Sequence, residues 1–171
     1  MDPSEPVLIE GSLTRSSLGV ARQEIERCVS RGQSVTLVIK SDGGKMDASV
    51  EFASWLAEMK NQIRIMAKIY QASSGAALIA LAARERRISQ AGSFNLHIGA
   101  LTIESSDIDE SGKVAERLLR LLRSSSDKLF SLLKGSAPRF PIRKFTTLHA
   151  KGKLELTPAE CIEYGICSEV F

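Results

Sequence analysis

The chain has 171 residues, 43% hydrophobic and 25% charged, a balance that excludes intrinsic disorder and supplies one core without a disulfide or a metal. A net charge of +3 and 5% aromatic content are too low for a nucleic-acid-binding surface, so a peptide or small molecule is the expected partner. Cys28, Cys161 and Cys167 are odd in number and stand at no metal-ligand spacing with either histidine, which points to free thiols in a reducing compartment, with packing as their role.

Met1 to Pro6 is acidic and polar, without the basic start and apolar stretch of a signal peptide, so the expected location is cytoplasmic. Val7 to Gly11 reads as a short strand closed by glycine. Leu18 to Val29 carries Leu18, Ala21, Ile25, Cys28 and Val29 at helical spacing, and Ser34 to Lys40 is a β-branched run suited to a parallel-sheet interior. Ser41-Asp42-Gly43-Gly44 reads as a tight turn, and a helix follows from about Asp47 to Lys60, with Phe52, Leu56 and Met59 on its buried side. Ile63 to Tyr70 alternates like a strand. Ser73 and Ser74 then begin a helix that continues through Gly75 to Ala83.

That last helix is apolar on every face, so it belongs in the centre of the domain, with a protected N-terminus. Its nine-residue run is far short of the roughly twenty needed to cross a bilayer, and no membrane association is expected. After the basic corner Arg84-Glu85-Arg86-Arg87, Ile88 pairs as a short strand and Phe94 to Ile98 as another. A turn-rich stretch from Glu104 to Gly112 leads to a long amphipathic helix from about Lys113 to Lys134. Its leucines exceed one narrow stripe, which fits either a subunit contact or packing inside its own domain. A short helix from Pro158 to Tyr164 and a strand around Ile166 to Val170 close the chain. Alternating strands and helices give one α/β domain built on a parallel sheet of β-α-β units.

An acyl-transfer site needs a nucleophile, a base and N–H donors for the oxyanion. Ser73 or Ser74 stands at the mouth of the buried helix, where the N-terminal N–H groups favour negative charge; taken alone, a serine there reads first as an N-cap. Gly43 and Gly44 permit close backbone approach, or a plain turn. His97 ends a strand and can serve as base, or as a structural histidine.

Taken in order, these pieces resemble the proteolytic subunit of the ATP-dependent Clp protease, within a fold shared with signal peptide peptidases and crotonases. Ile39-Lys40-Ser41-Asp42-Gly43-Gly44 is similar to the family's Ile-Asn-Ser-Pro-Gly-Gly. Gln71-Ala72-Ser73-Ser74-Gly75-Ala76 is similar to Gln-Ala-Ala-Ser-Met-Gly-Ala with one residue removed, an alignment that selects Ser73 as nucleophile. Leu96-His97 falls near Met-Ile-His after a one-residue deletion. Leu156-Thr157-Pro158-Ala159-Glu160-Cys161-Ile162-Glu163-Tyr164-Gly165 resembles Leu-Ser-Ala-Pro-Glu-Ala-Val-Glu-Tyr-Gly. The likeness runs from Val7 to Val170.

The resemblance implies a serine endopeptidase with Ser73 as nucleophile, His97 as base, the Gly43 and Ser74 N–H groups as oxyanion hole, and Gly44, Lys45 and Met46 as a peptide-binding ledge. No cofactor or metal is implied. It also implies one domain, with residues 7–112 as sheet and core helices, a long protruding helix over 113–134 for assembly into a homo-oligomeric ring, and a C-terminal segment over 135–171. The partners implied are a peptide or unfolded-protein substrate and an AAA+ unfoldase. Asp42 departs from the family's proline, Tyr70 from its glycine, and little precedes Val7 to match the axial gate. The family's third triad residue, an aspartate, falls at His149. The acid is then missing, replaced by Glu155 or Asp107, or exchanged for a Ser-His-His arrangement. A degenerate homologue with a structural or regulatory role is the second reading, and a crotonase-like acyl-CoA enzyme the third.

Overall fold

The computed structural model describes residues 6–59, 61–96, 113–143 and 154–171. In chain order these form β1 (Val7–Leu13), α1 (Arg15–Ser30), β2 (Val35–Gly44), α2 (Met46–Met59), β3 (Ile65–Ser73), α3 (Gly75–Ala82), β4 (Glu85–Leu96), α4 (Lys113–Ser136), β5 (Leu154–Leu156), α5 (Pro158–Glu163) and β6 (Glu169–Val170). Two helices start on reciprocal caps. The Thr14 hydroxyl accepts the Ser17 N–H at the head of α1, and Thr157 and Glu160 do the same for α5.

Strands β1 to β4 lie side by side in chain order and run parallel. The far side of β4 carries two short strands. β6 pairs in parallel with Arg87 and Ile88, and β5 pairs antiparallel with Phe94, Asn95 and Leu96. The sheet is therefore mixed at that edge, where the sequence pattern indicated parallel strands alone.

The pairing register slips at one level across the sheet. Ile39 pairs with Ile69, but Lys40 pairs with Gln71, leaving Tyr70 as an extra residue. Between β3 and β4, Ile69 pairs with Ile88 and the next pair is Gln71 with Ser93. β1 slips around Gly11, whose φ is 65°. Such bulges bend a strand without ending it. This is why Ser41 to Gly44 is not the turn expected from its Gly-Gly pair, and why Ile88 and Phe94 belong to one strand. The segments beyond the slip carry the candidate site.

All eight residues of α3 are buried, as its all-round apolar sequence requires, with α2 and α4 packed against it and the sheet beneath. α4 joins this core through Leu129, Leu132 and Leu133, while Glu116, Leu119 and Arg120 nearer its start are exposed. Arg86 ties the far ends together. Its guanidinium donates to the carbonyls of Ala83 (2.6 Å), Ser136 (2.8 Å) and Ile166, joining α3, α4 and the C-terminal segment. Burial pushes its pKa below the usual arginine value. Among the described residues, no helix is long and apolar enough to cross a membrane.

Candidate active site

The chain leaves β3 at Ser73 and enters α3 at Gly75, so Ser74 alone makes the turn. It does so at φ 56° and ψ −121°, the only positive φ outside glycine among the described residues. A β-carbon is strained there, and the sharp strand-to-helix turn has the backbone geometry of a nucleophile elbow, in which a hydroxyl is held at the tip. Ser74 occupies the N-cap position but makes no side-chain cap hydrogen bond, so capping does not account for it. Ser73 belongs to the strand instead, paired with Asn95 of β4 and 9% exposed.

The two glycines of β2 bring that strand against the elbow. A β-carbon on Gly43, whose φ is 99°, would lie 2.8 Å from Ser74 Cβ and 2.9 Å from the Ser73 carbonyl oxygen. Gly44 is pressed as closely on Leu13, and the Lys45 N–H donates to the Leu13 carbonyl at 2.7 Å. The β1 side of the expected ledge is therefore filled by the protein's own strand. Met46 begins α2 and is half-buried.

The N–H groups around the elbow are unevenly occupied. Gly43 donates to Ser41 Oγ at 3.0 Å, and that hydroxyl donates on to the Gly11 carbonyl at 2.6 Å. The Ser74 N–H donates to the Asn95 carbonyl at 3.2 Å. Both donors expected to form the oxyanion hole are thus engaged. The Gly75 N–H, at the first position of α3, has no acceptor among the described residues. It lies 3.1 Å from the point where a Gly43 β-carbon would stand.

The family model for Clp protease matches residues 28–171. The chain belongs to the Clp protease family. Among solved structures it is similar to ClpP1 from Listeria monocytogenes, solved as a point mutant, with a TM-score of 0.71, 18% identity, and coverage of 97% of this chain and 90% of that one. At that identity the match shows a shared ClpP fold. A sequence search of the curated proteins gives no match.

In this Clp-family chain His97 and His149 lie outside the described residues. Asn95, two positions before His97, is 7% exposed, and its side-chain oxygen is buried without a hydrogen-bond partner. Its ladder partners are Ser73 on one side and Glu155 on the other. Asp42, in the place of the family proline, accepts a 2.6 Å hydrogen bond from Gln71 Nε2. These two and Lys40, Glu10 and Gly43 line a cleft of about 520 Å³ beside the Gly-Gly segment. Pattern reading missed Asn95 and the Gly75 N–H. A polar residue between Phe94 and Leu96, both buried, was the available signal for the first; no side chain signals the second.

Proposed function

We propose that this chain is a Clp-type serine endopeptidase whose nucleophile is Ser74. His97 takes the Ser74 Oγ proton as the oxygen attacks a peptide carbonyl, and the Gly75 N–H holds the oxyanion at the head of α3. His97 then returns the proton to the leaving amine, the acyl-enzyme remains on Ser74, and water activated by His97 hydrolyses it. The cleft beside Gly43 receives polar parts of the substrate. The observation that carries this reading is the Ser74 backbone, strained at a position where neither capping nor strand pairing explains it.

The motif count that selects Ser73 and the backbone that favours Ser74 are separated by fluorophosphonate labelling with peptide mapping. A single adduct on Ser74, lost in Ser74→Ala and kept in Ser73→Ala, is the expected result. The reverse pattern returns the nucleophile to Ser73.

The second reading is a non-catalytic subunit, favoured by His149 at the family's acid position and by the engaged N–H groups of Gly43 and Ser74. Absence of labelling in an assembled sample would select it. The chain assembles into a homo-oligomeric ring through α4, a reading supported by Leu119, 53% exposed on that helix. An AAA+ unfoldase delivers the substrate. A solution mass at the 18.6 kDa of one chain under micromolar conditions would refute the ring.

A further inference from the structure

Two of the three cysteines lie together in the core. Cys161 is fully buried in α5, and Cys167, just before β6, is 3% exposed. Between them the chain turns back on itself. Gly165 takes a φ of 72°, a left-handed conformation with which helices commonly end, and its N–H donates to the Ile162 carbonyl at 3.1 Å. The Cys167 N–H donates to the Cys161 carbonyl at 3.0 Å. Standard backbone dimensions then hold the two α-carbons no more than about 6.5 Å apart, inside the range of about 4.4–6.8 Å that a disulfide spans. The side chains converge as well, since the two thiols are hydrogen-bonded to each other. Cys28 stands apart: α1 packs on β1 and β2, whereas α5 packs on β4, β5 and β6. Packing explains the burial of the pair, but only two sulfurs in this register can form a covalent bond.

We propose that Cys161 and Cys167 form a reversible oxidation site, a dithiol that closes to an intramolecular disulfide by exchange with a low-molecular-weight disulfide such as oxidised glutathione. Cys167, nearer the chain end, reacts first. Its thiolate attacks one sulfur of the small disulfide, that S–S bond breaks, and one small thiol leaves while a mixed disulfide remains on Cys167. The Cys161 thiolate then attacks the Cys167 sulfur and expels the second small thiol. The two protein thiols lose two protons and two electrons, and one small disulfide is reduced to two thiols.

The fold sets the rate of this exchange. A thiolate must form and meet the reagent, and a hydrogen bond with Cys167, followed by burial, keeps the Cys161 thiol protonated. Reaction therefore waits for the segment after α5 to open. That segment is held by the Ile166 carbonyl on the Arg86 guanidinium, by the Ser168 N–H on the Arg86 carbonyl at 2.9 Å, and by the two residues of β6. Once formed, the disulfide ties α5 to the lead-in of β6 and favours the closed segment. The site is independent of the choice between Ser73 and Ser74 as nucleophile.

The test is a titration of the full chain in mixtures of reduced and oxidised glutathione, natively and in urea, brought to equilibrium from both the reduced and the oxidised protein. Free thiols are then alkylated and the peptides mapped. The expected product is a Cys161–Cys167 disulfide, lighter by two hydrogens, with Cys28 outside it. Because the folded backbone already holds the pair at bonding distance, the native chain is expected to be half-oxidised at a glutathione ratio about tenfold more reducing than in urea. Cys161→Ser should show no loss of two hydrogens, and Cys167 in that variant should carry glutathione or remain a thiol.

A bond from either residue to Cys28 would overturn the proposal, as would glutathione held separately on Cys161 and Cys167 at equilibrium. A native midpoint equal to that in urea, or less reducing, would also overturn it, since the fold would then resist the bond. If Cys161→Ser does not fold, the wild-type titration decides alone.

Discussion

Gly43 and Ser74 approach so closely that a β-carbon on the glycine would stand 2.8 Å from the serine's own. The contact joins the strand end of β2 to the elbow between β3 and α3, and it exists only because position 43 has no side chain and accepts a φ of 99°. Gly43→Ala must either move β2 away or relax the Ser74 turn. The expected result is a labelling rate at Ser74 reduced about 100-fold, comparable to loss of an oxyanion donor. The accompanying loss of stability should be about 1–3 kcal/mol from backbone strain. Labelling at the wild-type rate in a folded variant would show that the contact has no part in the site.

On the other side of the elbow, Gly75 touches α2. A β-carbon there would lie 2.3 Å from Ser49 Oγ and 2.6 Å from Ser49 Cβ, and Ser49 is fully buried with its hydroxyl on the Lys45 carbonyl at 2.9 Å. Gly75→Ala is therefore expected to lower stability by about 1–3 kcal/mol through overpacking. Adding Ser49→Gly removes both clashing atoms, at about 1 kcal/mol of helix propensity when made alone. A double-mutant cycle in urea should show favourable coupling. Additive losses would mean that the helices already have room to separate.

The course of the chain was legible where burial imposes a period. α1, α2 and the apolar α3 follow from residues at helical spacing, and β3 from its alternation, because each has one kind of neighbour along its length. Ser41 to Gly44 was not, because Gly-Gly is a turn signal locally, whereas here Gly43 and Gly44 pair with Ser12 and Leu13 of β1. Nor was the unity of β4, since the bulged residues after Ile88 follow no period, or the three-residue β5. The choice between Ser73 and Ser74 is a one-residue question that motif order answers by where a gap is placed. Only the backbone angle, invisible in a serine's identity, favours one of them.

Arg86 anchors the fold at its far end from a nearly buried position, 8% exposed, its guanidinium donating to the carbonyl oxygens of Ala83, Ser136 and Ile166. Replacing it with leucine fills similar space but strands the oxygens of Ala83, Ser136 and Ile166. The expected loss is about 3 kcal/mol, read as a lower urea midpoint with an unchanged slope. Arg86→Lys keeps the charge but not the planar fork, and should recover only part of it. A wild-type midpoint in Arg86→Leu would show that water satisfies those carbonyls.

Glu85 gives the fold a measurable acid dependence. Hydrogen bonds from Arg64, at 2.7 and 2.9 Å, hold its carboxyl below the usual range. A carboxyl whose folded pKa is depressed contributes stability above its unfolded pKa, and that contribution disappears as pH falls through the folded value. The Glu85→Gln variant should therefore unfold at a slightly lower urea concentration than the wild type near neutral pH, the gap being small because the pair is solvent-screened. The gap should close in acid. A gap that persists at low pH would assign the effect to packing instead.

The cysteines divide by environment. Cys161 and Cys167 are buried, whereas Cys28 on α1 is half-buried. A hydrogen bond with Cys167, followed by burial, pushes the Cys161 thiol far above its ordinary pKa, so almost no thiolate exists there at neutral pH. Alkylation requires both thiolate and access. Brief treatment of the native chain with a maleimide at neutral pH is expected to modify Cys28 and to leave Cys161 and Cys167 intact, while denaturation exposes all three. Because the protected pair lies in and just after α5, its labelling reports opening of the segment that Arg86 holds through Ile166. Arg86→Leu should therefore accelerate modification of Cys161 and Cys167 without changing Cys28. Equal rates in the two proteins would separate the packing of α5 from the Arg86 anchor.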